Sequence, residues 1–438
     1  MRQRLIILTL WSVFTAVVST VVVYGQNEES GKESKLTFEA GSNFYHQNPD
    51  GSFINRLYKG VTAWHLDAEL RAEEGAYLSD LNDVREIRFY GGAAFKDSVR
   101  NLNADTLIYY ENSREALAIG NVLVTEGGRR LRADRVSYLK DIRVIRASGT
   151  VNVEDDSTRS TITGKEAVFN DSTGYGLIIG EPFLKKVEDN ESIITVACRD
   201  SLEIFKNEKI IRLWNNVVAT KDNLTMSCSD TLEIHDNEKS VKLWNNVVAV
   251  QDSLTANADH ALYEDATETL TLTGSPGIQY VVTGTRDEAL STIRTVSIVN
   301  GDSVIVFIHD KKITDVRIIG SAVSTTTSTD TTGTLFDRSI IESTTMRLEM
   351  KDDFISLVSA EGTAKSYYHR NYKDEKKMFV NDASGDTLTF YFDRGKVAEM
   401  RIYGFGGGLG KGKYYDYEQE KTTVSDSTGT AVKLNGYR

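Results

Sequence analysis

RLWNNVVATKDNLTMSCSDTLEI (212–234) and KLWNNVVAVQDSLTANADHALYE (242–264) are two copies of one unit, and their comparison decides the fold. Apolar side chains recur at alternate positions, Val217 with Ala219 and Val247 with Ala249, the period by which a strand sorts its side chains onto two faces. An Asn pair precedes each run, and an acidic residue, Asp230 or Asp259, opens a second alternating run fourteen or fifteen positions later. Each unit reads as two strands with a bend or bulge at the Asn pair.

Working outward, the first signature returns as Gly91-Gly92-Ala93-Ala94-Phe95, Gly120-Asn121-Val122-Leu123-Val124 and Gly149-Thr150-Val151-Asn152-Val153, with weaker copies at Lys59, Gly180, Gly274, Gly320, Gly362 and Gly404. The second returns as Leu70-Arg71-Ala72-Glu73, Ala104-Asp105-Thr106-Leu107 and Leu131-Arg132-Ala133-Asp134, and at longer offsets as Asp200-Ser201-Leu202 and Asp386-Thr387-Leu388. Steps between copies are 29 to 35 residues as far as Gly274 and 42 to 46 beyond it, which makes a tandem array. About eleven copies of two strands, at ~4.8 Å per strand, predict an elongated all-β body on the order of 100 Å long. Few prolines (3) and many Tyr (20) and Phe (16) agree with strands. Pro182 and Pro276 fall at one phase of the repeat and are expected to break the pairing there. Asp236-Asn237-Glu238-Lys239 and Glu126-Gly127-Gly128 read as tight reversals carried by Asn and Gly, and the Thr/Ser run 324–334 as a solvent loop.

The chain start differs in kind. Arg2 and Arg4, an apolar run from Leu5 to Tyr24 and small residues before Gln26 read as a signal peptide over 1–25. At ~1.5 Å per residue the run also reaches about 30 Å, the length of an uncleaved anchor. Thr9, Ser12, Thr15, Ser19 and Thr20 dilute it, which favours cleavage near Gln26. Residues 26–49 read as a flexible segment, 50–405 as the repeat domain and 406–438 as a Gly-rich flexible tail. No Cys lies near the cleavage site, so lipid attachment there is excluded, and the mature chain is expected to be soluble outside the cytoplasm. A formal charge of −12 argues against nucleic acid as a partner.

No catalytic constellation, metal-ligand spacing or cofactor motif is evident. The six His are scattered, and GGLGKGK (407–413) lacks the Ser or Thr of a phosphate loop because Tyr414 follows it. Asp105, Asp134, Asp200, Asp230 and Asp259 recur at every rung, which suits a structural hydrogen bond better than paired catalytic carboxylates. Cys198 and Cys228 share one phase, and equivalent positions two strands apart are about 9.6 Å from each other, beyond the ~7 Å reach of a disulfide, so both are expected as thiols. Arg129, Arg130, Arg132 and Arg135 form the basic stretch suited to phosphate or acidic sugar, or else they are ordinary charges on a solvent-facing strand. The ladder Ala93, Phe95, Val122, Val124, Val151, Val153, Val217, Ala219, Val247 and Ala249 lines either a lipid groove or the dry core of a closed sandwich.

A Gly-Asn-Val strand followed by an Ala-Asp-x-Leu strand, carried by AIGNVLVTEGGRRLRADRVSYL (118–139), LNADTLIYYENSREALAIGNV (102–122) and SGDTLTFYFDRGKVAEMRIYG (384–404), resembles the OstA-like (LptA) family of lipopolysaccharide transport proteins over roughly residues 50 to 405. The resemblance implies a semi-open β-jellyroll, a V-shaped pair of antiparallel sheets whose apolar groove holds lipid A acyl chains in the periplasm. It also implies end-to-end strand pairing with other OstA-like components. With no catalytic constellation in the sequence, the chain is expected not to be an enzyme, and its place is expected in the periplasm, in association with the inner or outer membrane. The chain is longer than a single bridge module of that family and lacks the later segments of an outer-membrane barrel. A structural or adhesive exported β-solenoid with a sealed core is the alternative, and an enzyme on a β-helix would need clustered carboxylates or a cation site that the sequence does not show.

Overall fold

In a computed structural model, the described residues are 37–416, apart from 66–67, 80–84, 97–99, 111–112, 114, 140, 171, 188–190, 252, 286–291, 310–311, 331–334, 352–353, 373–376, 394–395 and 405–410. The reading of 1–25 as a signal peptide lies outside them. Among the described residues the fold is all-β, every strand pair is antiparallel and no helix long and apolar enough to cross a membrane occurs. The chain divides into two compact units. One holds the described residues up to Asp222 with Leu232–Asn237, the other Asn223–Thr231 and the described residues from Glu238 onward.

In the first unit β1 (Thr37–Gln47) pairs with β2 (Phe53–His65), and β3 (Ala68–Ala72) and β4 (Glu74–Ser79) follow. Six long strands come next: β5 (Arg85–Lys96), β6 (Arg100–Tyr110), β7 (Glu115–Glu126), β8 (Arg129–Leu139), β9 (Val144–Asp155) and β10 (Ser160–Asn170), each paired with the one before. Each long strand has two arms meeting at the Gly/Asn pair or at the acidic residue opposite it. After β10 the arms separate. Its residues 166–170 pair with β11 (Tyr175–Ile179), while 160–163 pair with β12 (Phe183–Val187). From there β11, β14 (Ser201–Phe205) and β15 (Ile210–Trp214) continue one ladder, and β12, β13 (Ile193–Ala197) and β16 (Val217–Lys221) continue the other. The chain thus runs along one arm, crosses the corner, runs along the second arm, reverses and returns.

Backbone conformation explains the corner. In every copy from Lys59 to Gly362 the first residue of the pair has positive φ, for example Gly120 at 78° and Asn215 at 66°, and in all but Gly149-Thr150 the second does too. The two residues oppose one acidic or polar residue, as Gly120-Asn121 opposes Asp134 where Ile119 pairs with Arg135 and Val122 with Ala133. This two-against-one count is a β-bulge, which bends and twists the strand. Burial follows the bend: Val136 and Ala133 are both buried, as are Ala261 and Ala258, although residues three apart point to opposite faces of a flat strand. The strand turns its other face inward at the corner.

In the second unit β17 (Leu224–Cys228), β19 (Ser240–Gln251) and β20 (Leu254–Glu264) repeat the plan. Further on, β23 (Thr292–Asn300), β25 (Lys312–Asp330), β26 (Leu335–Lys351), β27 (Phe354–Tyr372) and β28 (Lys377–Asp393) have longer arms, which accounts for the wider repeat spacing.

Four expectations are corrected. The Thr/Ser run is not a loop over its described part: it lies in β25, where Ser324 to Asp330 pair with β23 and Ser297 and Thr326 bond through their hydroxyls at 3.0 Å. Thr is β-branched and suits a strand with one polar face. Within 26–49, Thr37–Gln47 is strand, and within 406–438, Lys411–Asp416 forms β30 on β28. The reversal at 236–239 carries its positive φ on Lys239, not on Asn237. At Pro182 and Pro276 the strand is interrupted as expected, but it is also interrupted at Asn215-Asn216 where no proline stands.

Candidate functional site

The corner brings the two sequence signatures together. Asn121 Nδ2 donates to Asp105 Oδ2 at 3.0 Å, Asn215 Nδ2 to Asp200 Oδ2 at 3.1 Å and Asn245 Nδ2 to Asp230 Oδ2 at 3.1 Å. The Thr150 amide does the same to Asp134 Oδ2 at 3.3 Å. These carboxylates tie adjacent strands at the bend, as the structural reading of the repeated Asp expects. Among the described residues no group of three or more His, Cys, Asp or Glu is placed to hold a metal ion.

Inward from the corner, on the second arm, lie the candidate ladder residues. Ala93, Val122, Val151, Val153, Val217, Ala219 and Val247 are buried, while Phe95, Val124 and Ala249 are half-buried. Val217 is 1% exposed and its neighbour Val218 39%, so the alternation falls as the sequence predicts. Register joins these residues through partners that the sequence reading missed. Phe95 pairs with Leu102, Leu102 with Val124, Val124 with Leu131, Leu131 with Val153, and Val153 with Ile162. The row continues through Leu184 and Val196 to Ala219. The alanines ahead of the acidic residues, Ala104, Ala133 and Ala258, were the available signal for its corner side. Along this row exposure changes: Phe95, Leu102, Val124 and Leu131 remain partly exposed, whereas Leu184 and Val196 are fully buried.

The basic stretch does not converge. Arg130 and Arg132 share the outer face of β8 and bind Glu154, Arg130 Nε to Oε2 at 2.8 Å and Arg132 Nη1 to Oε1 at 2.7 Å. Arg130 also holds Asp156 at 2.6 Å. Arg129 has the parity of the inward residues Leu131 and Ala133, and its Nε meets Asp155 Oδ2 at 3.2 Å. Arg135 lies beyond Asp134 on the other arm. The four arginines are not brought together: three are matched by carboxylates of β9, and Arg135 lies on the other arm.

Burial pushes the Asp155 carboxyl up, but the Ser157 hydroxyl, the Thr158 and Ser157 amides and Arg129 outweigh it and hold the group below its usual range. Glu154 is held low by hydrogen bonds from Arg130 and Arg132. Cys198 and Cys228 are buried thiols, each bonded to the backbone carbonyl three residues on, Ser201 and Thr231. Burial, with Asp200 nearby, pushes the Cys198 thiol up to about 11, which makes it inert near neutrality.

No protein-family model matches the chain, and no curated protein matches it.

Proposed function

We propose that the chain is a periplasmic lipid-binding scaffold of the OstA-like kind, carrying or bridging lipopolysaccharide toward the outer membrane with acyl chains held between the arms of a semi-open jellyroll. The observation that carries this reading is the continuous apolar row of the second arm, whose members on β5 to β8 keep part of their surface in contact with solvent although they face inward. Apolar side chains in a lined, half-open row gain from a hydrocarbon guest what a sealed core has already gained from itself. Strand pairing with a second module fits β1, which among the described residues pairs with β2 alone and shows Phe44 and Tyr45 to solvent.

The full burial of Leu184, Ile194 and Val196 favours the alternative, a solenoid sealed along its length. Photo-crosslinking in cells from position 124, with position 218 as the outward control, separates the two. Lipopolysaccharide adducts at 124 and none at 218 are expected; an adduct-free 124 in a folded, exported chain overturns the transport reading and leaves the sealed solenoid.

A further inference from the structure

In the second unit the second arm outgrows its apolar row. Ile278 of β22 (Gly277–Thr285) pairs with Val299 of β23, both half-buried, and the arm runs on past them. Ala322, Ala364 and Ala383 are buried beside the corner, and alternation carries the inward face from them to Thr326, Ser328, Tyr368 and Asn381. On the rung beyond Ile278 and Val299, register sets Tyr280 against Ser297, Ser297 against Thr326, Thr326 against Ser339, Ser339 against Tyr368 and Tyr368 against Asn381. One rung further, Thr295 meets Ser328, Ser328 meets Asp337 and Asp337 meets Arg370. Each of these positions carries a polar group.

An inward strand face is ordinarily apolar, because a polar group taken from water without a partner is costly. Here the partners are one another. Ser297 and Thr326 bond through their hydroxyls at 3.0 Å, and Thr295 and Ser328 at 2.9 Å. Tyr368 Oη donates to Asp337 Oδ1 at 3.5 Å, and Arg370 Nε lies 3.6 Å from the same oxygen. Each hydroxyl pair consumes one O–H and one lone pair, and keeps a second O–H and further lone pairs for a ligand. The one acid and the one base named on these rungs face each other, so the face favours neither sign of charge. Tyr280, 47% exposed, and the half-buried Tyr368 stand four strand spacings apart, about 19 Å, each an apolar ring with a polar tip. Groups that both give and accept hydrogen bonds, set between two aromatic rings, match a chain of uncharged sugars, whose hydroxyls do the same and whose C–H faces are apolar.

We infer that this face is a subsite for the uncharged sugar head of a glycolipid whose chain begins on Ile278 and Val299; this rests on the lipid-scaffold reading above and adds the chemistry and place of the head. The hydroxyl rungs select, and the half-open apolar row beside them holds.

The test uses the full chain and three photoactivatable probes that share a diazirine-bearing dodecyl chain and differ in the head: maltoside, oligo(ethylene glycol) or carboxylate. Label is read on peptides covering 277–372 as a ratio between probes within each variant, so a loss of folded protein does not mimic the result. Wild type is expected to label with the maltoside about tenfold more efficiently than with the glycol, the scale of one or two net hydrogen bonds. The preference should vanish in Ser297→Ala/Thr326→Val, where both hydroxyls of a pair leave together at little cost in stability. It should persist in Thr327→Val, on the outer face of the same strand. A preference kept by the double variant overturns the placement on these rungs. Equal labelling by maltoside and glycol in wild type overturns the sugar subsite and leaves the groove, and stronger labelling by the carboxylate overturns the uncharged head. Label confined to the first unit overturns this inference alone, whereas no label anywhere on the chain overturns the groove reading with it. If free maltose abolishes maltoside labelling at the probe's own concentration, the site is one for free saccharides and the glycolipid subsite is overturned.

Discussion

At the scale of single residues, the corner depends on what glycine and asparagine tolerate. Gly149 has φ of 97°, and a Cβ added there would overlap the Asp134 side chain, whereas Gly92 at 76° has open space around it. Gly149→Ala is therefore expected to cost at least about 2 kcal/mol, and Gly92→Ala only about 1, the strain of the backbone alone. Denaturant unfolding of both variants checks the difference, and Asp134→Gly in the Gly149→Ala background should recover part of the loss. Acid sensitivity has a separate residue-level origin. Because the folded Asp155 carboxyl lies below its usual range, its contribution is present above the unfolded value and is lost as pH falls below about 4. Asp155→Asn should lower stability at pH 7 and flatten the fall between pH 5 and 3; an unchanged acid limb would show that other carboxylates govern it.

Within the strand element, burial separates neighbours sharply. Val217→Asp puts a carboxylate where exposure is 1%, and Val218→Asp puts it where exposure is 39%. The first is expected to cost several kcal/mol and the second less than about 1. Thermal unfolding of the two reads this, and a Val217→Asp chain as stable as wild type would place water or an open mouth beside that residue. The corner was legible in the sequence because positive φ restricts residue choice, so Gly120-Asn121 and Asn215-Asn216 left a trace that composition alone reveals. Ile162 was not, since Ser160-Thr161-Ile162-Thr163 dilutes its apolar signal, and only register joins it to Val153 and Leu184. The Thr/Ser run misled for the opposite reason: threonine is as much a strand residue as a loop residue, and only pairing decides. The fate of Arg129 to Arg132 was hidden because their acidic partners at 154–156 lie at the end of the next strand and just past it, more than twenty residues on, and the register that joins them is not written in either segment.

For the whole molecule, the repeat makes residues interchangeable in blocks. Deleting 120–148 joins Ile119 to Gly149-Thr150, restores a corner pair opposite Asp105, and sets Asp155 where Glu126 had met Arg100. In a linear array such a deletion removes one unit and one set of neighbour contacts. The shortened chain is expected to remain β-rich and to unfold cooperatively, by circular dichroism, within a few degrees of wild type. Deleting 120–134 instead leaves two first-arm segments with no corner between them, and that chain should not fold. The back-and-forth course of the strands has one more consequence, and it concerns speed. Strands that pair lie one reversal or one repeat apart in sequence, as with Arg129 and Asp155 or Tyr175 and Glu203, 26 and 28 positions distant. All-β chains usually fold slowly because their pairing closes long loops. Among the described residues the pairings close only short ones, so a nucleus can form at any rung and zip in both directions, and the time to fold should grow with the number of rungs rather than steeply with length.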